Sequence, residues 1–232
     1  MISDVLGEAW TVYRRLFRQS VVVAGLIFAV ISLAQAFAAK STSVGPLLLV
    51  LVLSFLGGLL VEGALVLIVA DLHENRPPGP VSEYYNRTRD RLGTLFGASL
   101  LYGFAAILIV PIARFALAVP LVMIERLGWR EAFRRSSQLV RGRTGRILLV
   151  IILAGVISAV IRLAVATVFG FIPGFVGFWI AGTIGSAVAA PYGAHVLTVL
   201  YYRLTEPERP VLPTIVAPRE NWRSIWDEEP PK

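Results

Sequence analysis

The sequence predicts an all-α fold, a polytopic transmembrane helical bundle of about six spans with amphipathic interfacial elbow helices, and three observations carry that reading. Only 16% of the 232 residues are charged, against roughly 25% in a soluble domain, so the chain lacks the polar surface to face water all round. Apolar residues make up 56% and gather in long uncharged runs, as membrane spans require. The basic residues cluster instead in the connections between the runs, the pattern of cytoplasmic loops.

The formal net charge is +7. In a membrane protein this fits loops facing anionic lipid before it fits nucleic acid, and no nucleic-acid partner is expected. With no cysteine, disulfides, thiolate zinc sites and iron–sulfur clusters are excluded.

Residues 20–38 are uncharged and span about 29 Å as a helix, enough for a bilayer. A signal peptide is the rival reading, since Arg14, Arg15 and Arg18 precede the run and small residues near Ala36 offer a cleavage site. The long preceding segment favours a retained helix, with Leu6, Trp10, Tyr13 and Phe17 on one face. A second run, Pro46 to Ala70, is interrupted only by Glu62. A polar connector, Asp71 to Pro80, leads into a basic amphipathic stretch, Ser82 to Leu92.

Residues 93–124 read either as one long tilted helix or as a hairpin. Charge favours the hairpin. Arginines flank the segment on both sides, from Arg87 to Arg91 and from Arg126 to Arg146, so an even number of crossings must lie between. The turn is expected near Pro111–Arg114, with Arg114 reaching the outer interface. Each arm measures only about 24 Å, short of a ~30 Å hydrocarbon core, so a partly re-entrant pair is the variant reading.

The last spans are expected at Ile147–Phe169 and Phe175–Tyr202, within a transmembrane domain over 1–203. The tail, 204–232, holds six of the fourteen prolines and reads as a disordered cytoplasmic segment. Six passes place both termini in the cytoplasm, in a cell-membrane protein. Of 22 Lys and Arg, only Lys40, Arg114 and Arg162 then lie outside or within the membrane. Three times an acidic residue opens a short amphipathic helix leading through basic residues into a span, at Glu8, Glu83 and Glu131. This points to a threefold internal repeat, or to convergent amphipathicity before each outward span.

Over Pro120 to Arg146, helical phase puts Arg126, Arg130, Arg134 and Arg141 within one arc of about 80°. Gly128, Ala132, Ser136 and Leu139 lie opposite. Such a helix presses its small face on the bundle and offers guanidinium groups to lipid phosphates; a plain topology signal is the alternative. Gly177, Ala181, Gly185, Ala189 and Gly193 recur every four residues and form a close-packing seam, within the chain or between two copies.

Glu62, Arg162 and Arg114 are the intramembrane charges, and such charges are functional suspects. Glu62 shares a face with Ser54 and Gly58, and Arg162 with Ala154 and Ser158, so a Glu62–Arg162 pair would need both side chains stretched. His73 and His195 are the only histidines; Asp71, His73 and Glu74, with His195 approaching from the last span, offer metal ligands without a ligand-type spacing, and no metal or cofactor is expected. No hydrolase, nucleotide-binding or nucleophile motif is present, so the chain reads as a non-enzyme.

Pro120, Glu125, Gly128, Ala132, Arg135, Ser136, Leu139 and Gly142 together form the pattern P-x4-E-x2-G-x3-A-x2-R-S-x2-L-x2-G. It resembles the signature of the membrane domain found beside some glycerophosphoryl diester phosphodiesterases, and of stand-alone six-helix relatives. The similarity extends loosely to Gly63–Leu92 and Pro191–Arg203. In fused members the hydrolase is a separate barrel, absent here, so the resemblance implies a membrane module alone. The sequence therefore favours a non-catalytic module that engages anionic phospholipid or organises a membrane partner, either another membrane protein or a second copy of the chain. A transporter or lipid translocator is the runner-up.

Overall fold

The computed structural model describes residues 2–41, 43–77, 79–106, 113–169 and 171–206. Their regular structure is entirely helical, in eight helices: α1 (Ile2–Ala38), α2 (Val44–His73), α3 (Val81–Arg89), α4 (Leu92–Ala106), α5 (Ala118–Ile124), α6 (Trp129–Val140), α7 (Thr144–Phe169) and α8 (Gly174–Thr205). Four of them, α1, α2, α7 and α8, are long and apolar enough to cross a membrane. Their outward faces carry bare leucine, valine and isoleucine, such as Leu49 and Leu163, which in water would be an aggregation surface and in a bilayer is ordinary.

The long helices alternate in direction. Antiparallel contacts join α1 to α8 along their whole length: Glu8 pairs with Arg203 at 2.7 Å, Ser20 meets His195 at 3.3 Å, and Phe37 packs on Phe175. Gln35 donates to Ser54 across α1 and α2, and Gly185 and Gly193 face Arg162 and Ser158 across α7 and α8. The two helix starts, Ile2 and Thr144, and the two helix ends, His73 and Thr205, therefore share one end of the bundle. Most of the described charged side chains gather there, so it is called the charged end below.

The interval between α2 and α7 starts and finishes at that end, as the arginine distribution required. Its apolar helices are short. Among the described residues the 15 residues of α4 reach about 22 Å and the stretch Ala113–Ile124 about 18 Å, so four of the described helices are long and apolar enough to cross a membrane. Pro111 and Ile112, half of the expected turn, lie outside the described residues, as does the proline-rich tail from 207 onward.

Two further expectations change. The first amphipathic segment is no separate elbow, because α1 runs unbroken through 37 residues. Nothing in the run from Gln19 to Ala24 breaks a helix, whereas the other two units do break, before Leu92 and around Gly142. The buried face of this segment is Val5, Ala9, Val12, Tyr13 and Leu16. It overlaps the aromatic face only at Tyr13, since Trp10 and Phe17 stay exposed: the smaller side chains let α1 approach α8, and the rings line the edge.

α3 is locked under the bundle. Thr88 is fully buried and fills the space a side chain at position 63 would need, so the glycine there is a packing requirement. Tyr85 donates its hydroxyl to the Val23 carbonyl, and burial pushes its phenol up to about 12. Asp71, buried at the end of α2, meets Arg76 and Arg87 at 3.5 Å each.

Candidate functional site

Two features carry chemistry, an arginine-bearing helix at the charged end and a cavity midway along the bundle.

The helix is α6. Ala132 and Ser136 have no exposed surface, and Phe133 and Val140 are buried beside them, while Arg126, Arg130, Arg134 and Arg141 are all exposed. The two-faced character read from the sequence is present. Its continuity is not. Arg126 has φ +57° and Gly128 is an extended N-cap, so only Arg130 and Arg134 sit on the helix, with Arg126 before it and Arg141 at its C-cap. A left-handed residue and an extended cap cannot continue an α-helix, and a single 100° phase through Pro120–Arg146 does not hold.

The residues of the sequence pattern hold this helix in place. Pro120 is buried in α5. Glu125 accepts the Tyr201 hydroxyl of α8 at 3.0 Å and lies 3.9 Å from Arg135. Ser136 donates to the Arg114 carbonyl at 2.6 Å, and Leu139 packs against the core. Gly142 has φ +79°, a conformation costly for any residue with a Cβ, and turns the chain from α6 into α7. Tyr201 was not singled out in the sequence, because a tyrosine ending an apolar span looks like an ordinary interfacial residue. The Ser136–Arg114 bond also moves Arg114. Its backbone touches α6, so Arg114 at an outer interface and α6 at an inner one are incompatible.

The cavity, about 340 Å³, lies between α2 and α7 and is backed by Phe28 of α1 and Ala190, Gly193 and Ala194 of α8. Glu62 and Ser158 bring it the only side-chain oxygens; Gly58, Ala154 and Gly155 supply room. α2 and α7 flank α1 and α8 yet make little contact with each other, so the cavity occupies the gap between them. The structure thus brings together the Gly58–Glu62 face and the Ala154–Ser158 face. Arg162 does not join them: its side chain is exposed, with its stem over Gly185. Among the described residues no hydrogen bond or ion pair reaches the Glu62 carboxyl. An ionised group near the centre of a membrane helix costs roughly 2.5–3.5 kcal/mol on insertion, more than a few van der Waals contacts recover. Packing alone does not account for it.

The small-residue seam is used within the chain. Gly185 and Gly193 receive α7, and Ala189 is fully buried. Position 177 has no space for a Cβ against the Ile172 carbonyl.

The histidines stay apart. His73 stacks on Tyr202 at 3.8 Å and meets Glu206 at 3.3 Å, whereas His195 faces Ser20 between α1 and α8. Asp71 and Glu74 engage Arg76, and no group of three or more metal-ligating side chains forms among the described residues. Compared with protein families, curated proteins and solved structures, the chain matches none of them.

Proposed function

We propose that this protein is a non-catalytic multi-pass membrane module of the cell membrane whose α6 helix engages the headgroups of anionic phospholipids. One observation carries the reading: four arginines, Arg126, Arg130, Arg134 and Arg141, are exposed around a helix whose opposite side, Ala132 and Ser136, is sealed against the bundle. A helix fixed in this way cannot turn its arginines inward, and guanidinium groups match phosphate geometry and charge. In the reading, the charged end is cytoplasmic by the positive-inside rule. The four long helices cross the bilayer, and α4 with Ala113–Ile124 forms a re-entrant pair, the third and fourth of six apolar passes. The likeness to the membrane domain beside glycerophosphoryl diester phosphodiesterases agrees with a module that acts without its own chemistry and can recruit a membrane-protein partner.

The test is binding of phosphatidylglycerol against phosphatidylcholine to the purified protein at rising salt. Preference for the anionic lipid, weakening as the Debye length shrinks, supports the proposal, and equal retention contradicts it. A lipid translocator is the second reading, favoured by the Glu62 cavity in the gap between α2 and α7. Phospholipid scrambling in liposomes holding only this protein distinguishes it.

A further inference from the structure

The geometry points to a second site, independent of α6: the α2–α7 cavity binds a membrane-dissolved organic ammonium, with its cationic head on the Glu62 carboxylate and its apolar body among the small residues of α2, α7 and α8. Four observations lead there.

The cavity contains one ionisable group, Glu62, and one hydroxyl, Ser158, in an otherwise apolar wall. A carboxylate in a low-dielectric surround stays ionised only beside a counter-charge and otherwise takes up a proton; among the described residues none sits in the wall, since Arg162 lies one helical turn beyond Ser158 but outside the lining. An inorganic cation is a poor match, because calcium-like and magnesium-like ions need about six oxygen ligands and the wall offers three side-chain oxygen atoms, two of Glu62 and one of Ser158, the backbone carbonyls being taken up within the helices. An organic ammonium needs only one or two acceptors and brings its own apolar surface. An anionic lipid is repelled by the carboxylate, and a neutral one gains at most a hydrogen bond without the charge attraction.

Size and access agree. A volume of about 340 Å³ holds roughly a dozen non-hydrogen atoms at ~30 Å³ each, a chain of ten carbons and its nitrogen. The gap between α2 and α7 opens the route from the hydrocarbon, so the ligand arrives by partitioning rather than through water. The glycines of the wall are free to be filled: a Cβ at Gly58 or Gly155 meets nothing within 4 Å.

The experiment uses the full chain in phosphatidylcholine nanodiscs and follows the unfolding temperature with decylammonium, decanol and decanoate at matched concentrations in the membrane. The ammonium should raise the midpoint by several degrees, saturably, as a ligand of the folded state does, and the other two should not. Glu62→Gln keeps the shape and should weaken the ammonium effect at least tenfold. Gly155→Leu, at a position where a Cβ meets nothing within 4 Å, puts an apolar side chain into the cavity and should abolish it. Arg130→Gln/Arg134→Gln/Arg141→Gln should leave it intact, which separates this site from the headgroup reading. Equal protection by decanol, or full protection of Glu62→Gln or Gly155→Leu, overturns the proposal.

Discussion

Tyr201, near the end of α8, donates its hydroxyl to Glu125 at 3.0 Å, and so ties the turn between α5 and α6 to the last long helix. Glu125 also faces Arg135 of α6. The turn, the amphipathic helix and α8 thus meet at one carboxylate. Losing the hydroxyl strands an acceptor that is only partly open to water, and one hydrogen bond to a charged group is worth about 1.5–3 kcal/mol. Tyr201→Phe should lower stability by about that amount in thermal unfolding, and Glu125→Gln, which keeps an acceptor oxygen, by less.

The small face of α6 should be intolerant of size. Ala132 and Ser136 are fully buried, and added methylenes in a packed site cost about 1–3 kcal/mol. Ala132→Leu or Ser136→Leu should lower the unfolding temperature in neutral detergent, where no headgroup charge is involved. Stability equal to the parent in both variants would mean that α6 does not press on the bundle.

How much of this was legible in the sequence follows from what each residue had to satisfy. The four long helices were readable because a ~30 Å slab demands long uncharged runs. The two faces of α6 were readable because alanine and serine opposite arginine leave only one side able to bury. The break at Arg126 to Gly128 was not, since nothing in Arg126 itself announces a left-handed backbone. The length of the central pair was visible and its meaning was not: positive-inside counting fixes the parity of crossings and says nothing of their depth. The Gly58–Glu62 and Ala154–Ser158 faces were recognised separately. That they share a cavity depends on α2 and α7 standing apart, which no local pattern encodes.

Sidedness has its own test. Ser43→Cys, at the start of α2, and Ser137→Cys, on α6, lie at opposite ends of the bundle. An impermeant thiol reagent should label Ser43→Cys on intact cells and Ser137→Cys only after permeabilisation. Labelling of both from outside would contradict a cytoplasmic α6.

Alkaline pH should loosen α3. Tyr85 has its phenol raised by burial from the ordinary 10 to about 12. Below 10 it is neutral in both states and its contribution is complete; as pH climbs from 10 towards 12 the unfolded chain ionises first and stability falls. Tyr85→Phe should flatten the part of that decline due to this residue, measured by unfolding midpoint against pH.

The central claim is that the α6 arginines hold anionic headgroups, and the most direct measurement is the affinity of phosphatidylglycerol for Arg130→Gln/Arg134→Gln/Arg141→Gln in neutral detergent. Each arginine near an anionic surface contributes roughly 1 kcal/mol, so three should cost on the order of a hundredfold in affinity at low salt, shrinking as salt rises, with helix content and unfolding temperature unchanged. Parent-like affinity and salt dependence in a well-folded variant would contradict the account, and would leave the arginines as a signal of topology alone.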